Sequence, residues 1–235
     1  RKIWKEYQQK KNPTLKQKKV TSPIVTIGIT HGLSLCADLF MDQNDTLLLP
    51  DKFLGNYNLI FAVRRNAKTE TYNTFTKHGL DLRSFQTALQ KLSQTQKKIL
   101  IMFNFPNNPS GYQPTFDEVK ELGNILTTTA QTGVKLVIIC DEAYAGLYYE
   151  PSCYPESVFG YINGLQKNIL PVLLNGATKE FFVWGLRVAF ISFGLEGFKN
   201  ADIVEEVLES KIKGLIRGQV SSGPKISQSM IVKAM

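Results

Sequence analysis

Lys135-Leu136-Val137-Ile138-Ile139-Cys140-Asp141-Glu142-Ala143-Tyr144 is the stretch on which the fold turns. It is apolar without alternation from Leu136 to Cys140 and then ends abruptly in a carboxylate. A strand covered on both faces carries such a run, which points to a parallel sheet under helices. Runs of similar character lie at 24–28, 46–49, 70–75, 98–103, 169–174 and 188–193. Helical patterns fall between them near 31–41, 81–92 and 115–130, and another follows the last run at 201–216. The third is marked by Thr115 and Glu118, spaced as a capping box, with Gly133 just past its end. This alternation predicts an α/β fold with a mostly parallel sheet flanked by helices. Ligands of such sheets collect at the carboxyl ends of the strands, so the residues following each run are the candidate site.

Four strand ends carry chemistry. Asp141 closes a buried run, where a carboxylate is costly unless it meets a cation or strong donors; a helix cap is the plainer explanation. Asn104-Phe105-Pro106-Asn107-Asn108-Pro109-Ser110-Gly111 prescribes a specific irregular turn. Thr178 and Lys179 follow the run at 169–174, with Arg187 eight residues after the lysine. An amine at the end of an apolar strand can be desolvated and form a Schiff base, although a surface lysine is the commoner outcome. Gly28, Ile29 and Thr30 open a helix after the first run, where free N–H groups and the helix dipole make an anion seat. None of these matches a dinucleotide fingerprint or a Walker loop.

The chain has 235 residues, 43% hydrophobic and 20% charged, enough for one sizeable core. No apolar run approaches the roughly 18 to 20 residues of a membrane helix, and no secretory leader pattern is visible. Cys36, Cys140 and Cys153 form no paired motif, which predicts free thiols in a cytoplasmic protein and no metal site. The net charge of +8 is concentrated in residues 1–19, where Arg1 and seven lysines face only Glu6, leaving the rest nearly neutral. We read that head as a solvated helix face and loop. The alternative is a nucleic-acid patch, for which strong salt-dependent binding lost with residues 1–19 would be the sign.

Together and in this order, the Asn104–Gly111 turn, Asp141-x-Ala-Tyr144, and Lys179 with Arg187 resemble the class I aminotransferases. These are the aspartate-aminotransferase-like group of fold type I pyridoxal-phosphate enzymes, and the similarity spans roughly residues 24–224. The resemblance implies a large cofactor-binding domain there, preceded by a basic helix and linker (1–23) and followed by the start of a truncated C-terminal segment (225–235). It implies pyridoxal 5'-phosphate as cofactor, with Lys179 carrying it as a Schiff base and afterwards moving the substrate α-proton. Asp141 would pair with the pyridine nitrogen, and Asn108 and Tyr144 would bond the phenolic oxygen. Arg187, Thr178, Gly28, Ile29 and Thr30 would hold the phosphate. Arg217 matches the place where dicarboxylate-specific members read the distal carboxylate across a homodimer interface; a cation stabilising a helix end is an equal reading.

Two positions depart from the family pattern. Leu54 stands where an aromatic ring stacks on the cofactor, with Phe53 as a possible substitute, and Gly176 stands where a serine often helps hold phosphate. The family's α-carboxylate arginine, in a C-terminal small domain, and its N-terminal segment fall outside the chain. The implied reaction is transamination between an amino acid, aspartate-like or aromatic, and a 2-oxo acid. Another fold type I reaction such as β-elimination, or a truncated non-catalytic remnant, remains the alternative.

Overall fold

The computed structural model describes residues 1–235. A seven-stranded sheet runs through the molecule, built from β1 (Ile24–Thr26), β2 (Thr46–Pro50), β3 (Lys68–Tyr72), β6 (Lys98–Asn104), β7 (Lys135–Asp141), β8 (Ile169–Gly176) and β9 (Ala189–Phe193). Their order is β1-β9-β8-β7-β6-β2-β3. All neighbours pair in parallel except those of β9, which runs against both β1 and β8. The expected mostly parallel sheet is therefore present, with one reversed strand. A small hairpin, β4 (Phe75–Thr76) with β5 (Gly79–Leu80), stands apart from it. It takes the end of the run at 70–75 because the Thr74 amide and hydroxyl both bond Asp51 Oδ1, at 2.9 and 2.6 Å, turning the chain after Tyr72.

Side chains of β7 alternate between two cores. Leu136, Ile138 and Cys140 enter one, with residues of α3 (Leu82–Ser93), α4 (Phe116–Gln131) and α5 (Val158–Ile162). Val137 and Ile139 enter the other, with α2 (Ile29–Phe40) and α7 (Ala201–Val220). Covering both faces is what made the sequence run apolar throughout, and each aliphatic side chain so buried is worth about 1.5–3 kcal/mol. Thr115 and Glu118 form the reciprocal capping box at the start of α4. Helix α7 runs four residues beyond the expected 216 and stops at Ser221, whose φ of 64° breaks it. Helix α8 (Lys225–Ala234) comes next.

The basic head is less solvated than its composition suggested. It forms α1 (Lys2–Lys11) and a short 3-10 turn, and Trp4 is only 2% exposed. Lys2, Lys10 and Lys16 do face solvent. In contrast, Lys5 donates to the Val20 carbonyl at 3.1 Å, Lys18 donates to the carbonyls of Gly160 and Asn163, and Lys19 pairs with Asp202. Burial lowers the pKa of Lys18. Lys18 and Lys19 thus tie the head to α5 and α7, since Gly160 lies in α5, Asn163 caps its end and Asp202 lies in α7. No helix is long and apolar enough to cross a membrane, and no group of three or more His, Cys, Asp or Glu gathers as a metal site.

Candidate active site

The carboxyl ends of the parallel strands meet along one edge of the sheet. Gly28 follows β1, Leu54 follows β2, Asn104 and Asp141 end β6 and β7 as register partners, and Lys179 follows β8. Because β9 is reversed, Arg187, two residues ahead of it, returns to that same edge. A cavity of about 280 Å³ opens there, lined by Ile29, Thr30, Leu54, Asn108, Asp141, Tyr144, Thr178, Lys179 and Arg187 among others. Nine of the residues singled out from sequence thus share one wall. Gly28 adjoins it as the residue capping α2.

Asp141 is 2% exposed, and burial pushes its carboxyl up to about 6. Two donors oppose that rise: the Ala143 amide reaches Oδ1 at 3.1 Å, and the Tyr57 hydroxyl reaches Oδ2 at 2.7 Å. Tyr57 was not singled out by the sequence reading. It lies three residues past Leu54, just ahead of a π-helical segment that begins at Asn58. Nothing local in the sequence marks its hydroxyl as a partner for a residue 84 positions away. Asn104 was also missed as a support. Its Nδ2 donates to the Asp141 carbonyl at 2.8 Å, while its Oδ1 accepts the Asn108 amide at 2.7 Å. The Asn108 side chain in turn meets the Tyr144 hydroxyl at 3.4 Å, a long contact that leaves both polar groups available to the cavity.

Lys179 extends its ammonium 5.7 Å from the centre of the Tyr144 ring, within cation–π range. At the anion seat Gly28 has φ 79°, and a Cβ built on it would lie 2.2 Å from Arg187 Nη2. Glycine is required there both for the backbone angle and to admit the guanidinium. The Thr178 hydroxyl oxygen is buried without a hydrogen-bond partner, although it lines the cavity beside Arg187. A buried hydroxyl left unpaired calls for a ligand acceptor. The free amides at the start of α2, Arg187 and Thr178 together form a cradle suited to a phosphate.

Two sequence departures acquire physical content. Leu54 lines the cavity and also packs against the core, as does Phe53, but only Leu54 reaches the cavity wall. Gly176 is extended (φ 177°), an angle open to any residue, so space decides its identity. It pairs with Ala189 on β9, and a Cβ would sit 2.7 Å from the Ala189 Cβ and 2.9 Å from the Val188 carbonyl oxygen. Arg217 is not brought to the cavity: it is exposed on α7 and donates to Ser221 Oγ at 2.7 Å. Leu147 and Tyr149 are exposed and line an open groove that shares Asn108 and Tyr144 with the cavity. His31 does not line the cavity. Its Nδ1 accepts the Ile27 amide at 3.0 Å, so Nε2 carries the proton toward Gln219 Oε1, and burial lowers its pKa.

The chain matches the family model described as aminotransferase class I and II over residues 1–235. Among curated proteins it is 26% identical over 189 residues to a probable aspartate aminotransferase of Methanocaldococcus jannaschii, covering 79% of this chain and 44% of that one. It is 27% identical over 193 residues to a probable kynurenine–oxoglutarate transaminase of Saccharomyces cerevisiae, covering 77% and 39%. The chain therefore spans less than half the length of these relatives. An aminotransferase structure from Anaerococcus prevotii superposes with a TM-score of 0.81 at 22% identity, covering 92% of this chain and 52% of that one. An aspartate aminotransferase from Rhizobium meliloti gives 0.76 at 18% identity, covering 99% and 52%, so the fold is that of fold type I aminotransferases. With the family pattern matched along all 235 residues, the chain belongs to the class I and II aminotransferases.

Proposed function

We propose that this chain is the pyridoxal-phosphate-binding part of an aminotransferase that passes an amino group between an amino acid and a 2-oxo acid. The observation that carries the reading is the convergence of the Lys179 amine, the buried Asp141 carboxylate and the Arg187–Thr178 anion cradle on one cavity. When bound, pyridoxal phosphate supplies an electron sink for a carbanion at the substrate α-carbon. The orphaned Thr178 hydroxyl and the glycine-lined cradle fit its phosphate, and the same cavity presents the Asp141 carboxylate for its ring nitrogen.

The chain's own groups divide the work. Arg187, Thr178 and the amides of Gly28, Ile29 and Thr30 bind the phosphate. Asp141, held by Tyr57, keeps a proton on the ring nitrogen, and Asn108 with Tyr144 orients the phenolic oxygen. Leu54 covers the ring by apolar contact alone, without the roughly 0.5–1.5 kcal/mol that an aromatic pair adds. Lys179 would anchor the cofactor and then move the proton between the substrate α-carbon and the cofactor carbon. Names of relatives, an aspartate aminotransferase and an aromatic-amino-acid aminotransferase among them, support an aspartate-like or aromatic substrate. In this reading the protein is a cytoplasmic homodimer in which Arg217 faces the neighbouring subunit's site, and residues 24–224 form the cofactor-binding domain.

Visible absorption of the purified chain with added pyridoxal phosphate tests the proposal, followed by borohydride reduction and peptide mapping. A band trapped on Lys179 and missing from Lys179→Ala is the expected result. An unchanged band in that variant would refute the assignment. Product analysis then separates transamination, which yields a keto acid and a new amino acid, from β-elimination, which yields ammonia and pyruvate.

A further inference from the structure

Lys179 rides on α6 (Ala177–Glu180), a helical segment of only four residues. So short a turn has no helical stability of its own, and its direction is set by what grips its ends. The chain beyond it is irregular, with Phe182 and Arg187 both in left-handed backbone at φ 54° and 53°. The grip comes from outside the cavity lining, from one face of α1. Trp4 stacks on Phe190 with ring centres 4.4 Å apart and donates from Nε1 to Asn175 Oδ1 at 3.0 Å, just ahead of the turn. Three and seven residues further along α1, Tyr7 and Lys11 both donate to the Glu180 carboxylate, at the end of the turn. Spacing of three and four residues places all of these on one helix stripe.

Glu180 lines no part of the cavity, and its side chain is 15% exposed. Burial together with Glu180 raises the Tyr7 pKa, keeping that phenol a donor. We infer that Glu180, held by Tyr7 and Lys11, is a positioning residue that fixes the turn so that the Lys179 amine addresses the cavity. Helix α1 is in this view a splint for the lysine rather than a solvated appendage. The inference rests on the role given to Lys179 in the proposed function.

The test compares two ligands on the whole chain. Attachment of pyridoxal phosphate needs the lysine: its nitrogen bonds the aldehyde carbon, and the carbonyl oxygen leaves as water. Pyridoxamine phosphate carries an amine in place of the aldehyde and binds through the same cradle without that bond. Glu180→Ala should weaken pyridoxal phosphate about tenfold more than pyridoxamine phosphate, as misplacing a reacting group does. Glu180→Gln keeps an acceptor for Tyr7 and should recover part of the loss. Equal weakening of both ligands, or none, would overturn the positioning role. Amide hydrogen exchange of the cofactor-free protein keeps the inference separate from the cofactor reading: residues 177–183 should exchange faster in Glu180→Ala while the sheet does not. Unchanged exchange there overturns the splint, whereas a wild-type chain that never attaches pyridoxal phosphate overturns the proposed function alone.

Discussion

Replacing Tyr57 by phenylalanine removes one oxygen from a site where the ring is 1% exposed and the hydroxyl has a single carboxylate partner at 2.7 Å. The ring's packing survives, so the effect isolates the hydrogen bond. With Asp141 ionised, a hydrogen bond to a charged group contributes about 1.5–3 kcal/mol, against about 0.5–1.5 kcal/mol for a neutral one. Asp141 titrates near 6 in the fold and near 3.8 when unperturbed. Its raised value means that the folded state holds its proton while the unfolded state has lost it. The contribution of Asp141 to stability is thus greatest below about 4 and is lost as pH rises through 6, by roughly 3 kcal/mol. Neighbouring Glu142, pushed up to about 7 by burial, adds to the same trend. In Tyr57→Phe the loss should accordingly be small at pH 5 and wider by about 1–2 kcal/mol at pH 8. Urea unfolding of the cofactor-free protein at the two pH values measures it. A difference that stays constant with pH, or a variant as stable as the wild type, would show that the phenol does not support the ionised carboxylate.

Space and backbone geometry set two further expectations. Gly28→Ala places a Cβ against the Arg187 guanidinium at a φ of 79°, so affinity for pyridoxal phosphate should fall about tenfold, with a strain of about 1 kcal/mol in folding. Calorimetric titration reads the first and thermal melting the second; unchanged affinity would mean that Arg187 does not need the approach over Gly28. Gly176→Ser, which restores the residue common in the family, should destabilise the chain by about 1–3 kcal/mol through its clash with Ala189, and the double change that also makes position 189 glycine should recover part of it. A stable single variant would show that β8 and β9 separate at no cost.

Much of this architecture was legible in the residues themselves. The double-faced apolar run at 136–140, the Thr115–Glu118 box and the strand–helix alternation respond to local physics: side-chain burial on both faces and capping of free amides. The ordered motifs around Asn108, Asp141, Tyr144, Lys179 and Arg187 also carried the cavity wall, since strand ends of a parallel sheet meet at one edge. The reversal of β9 could not be read from its own residues, because an apolar run has no direction. It is that reversal which returns Arg187 to the cavity and imposes glycine at 176 through Ala189.

The same limit applies wherever a bond joins distant parts of the chain. Tyr57 meets Asp141 across 84 residues, and Tyr7 and Lys11 meet Glu180 across 173 and 169. Within their own segments they are an interior aromatic and members of a basic helix. Composition and periodicity encode what each residue seeks, an apolar face or a countercharge. Which partner satisfies it is a matter of packing, because only the closed fold brings the two groups within hydrogen-bond reach.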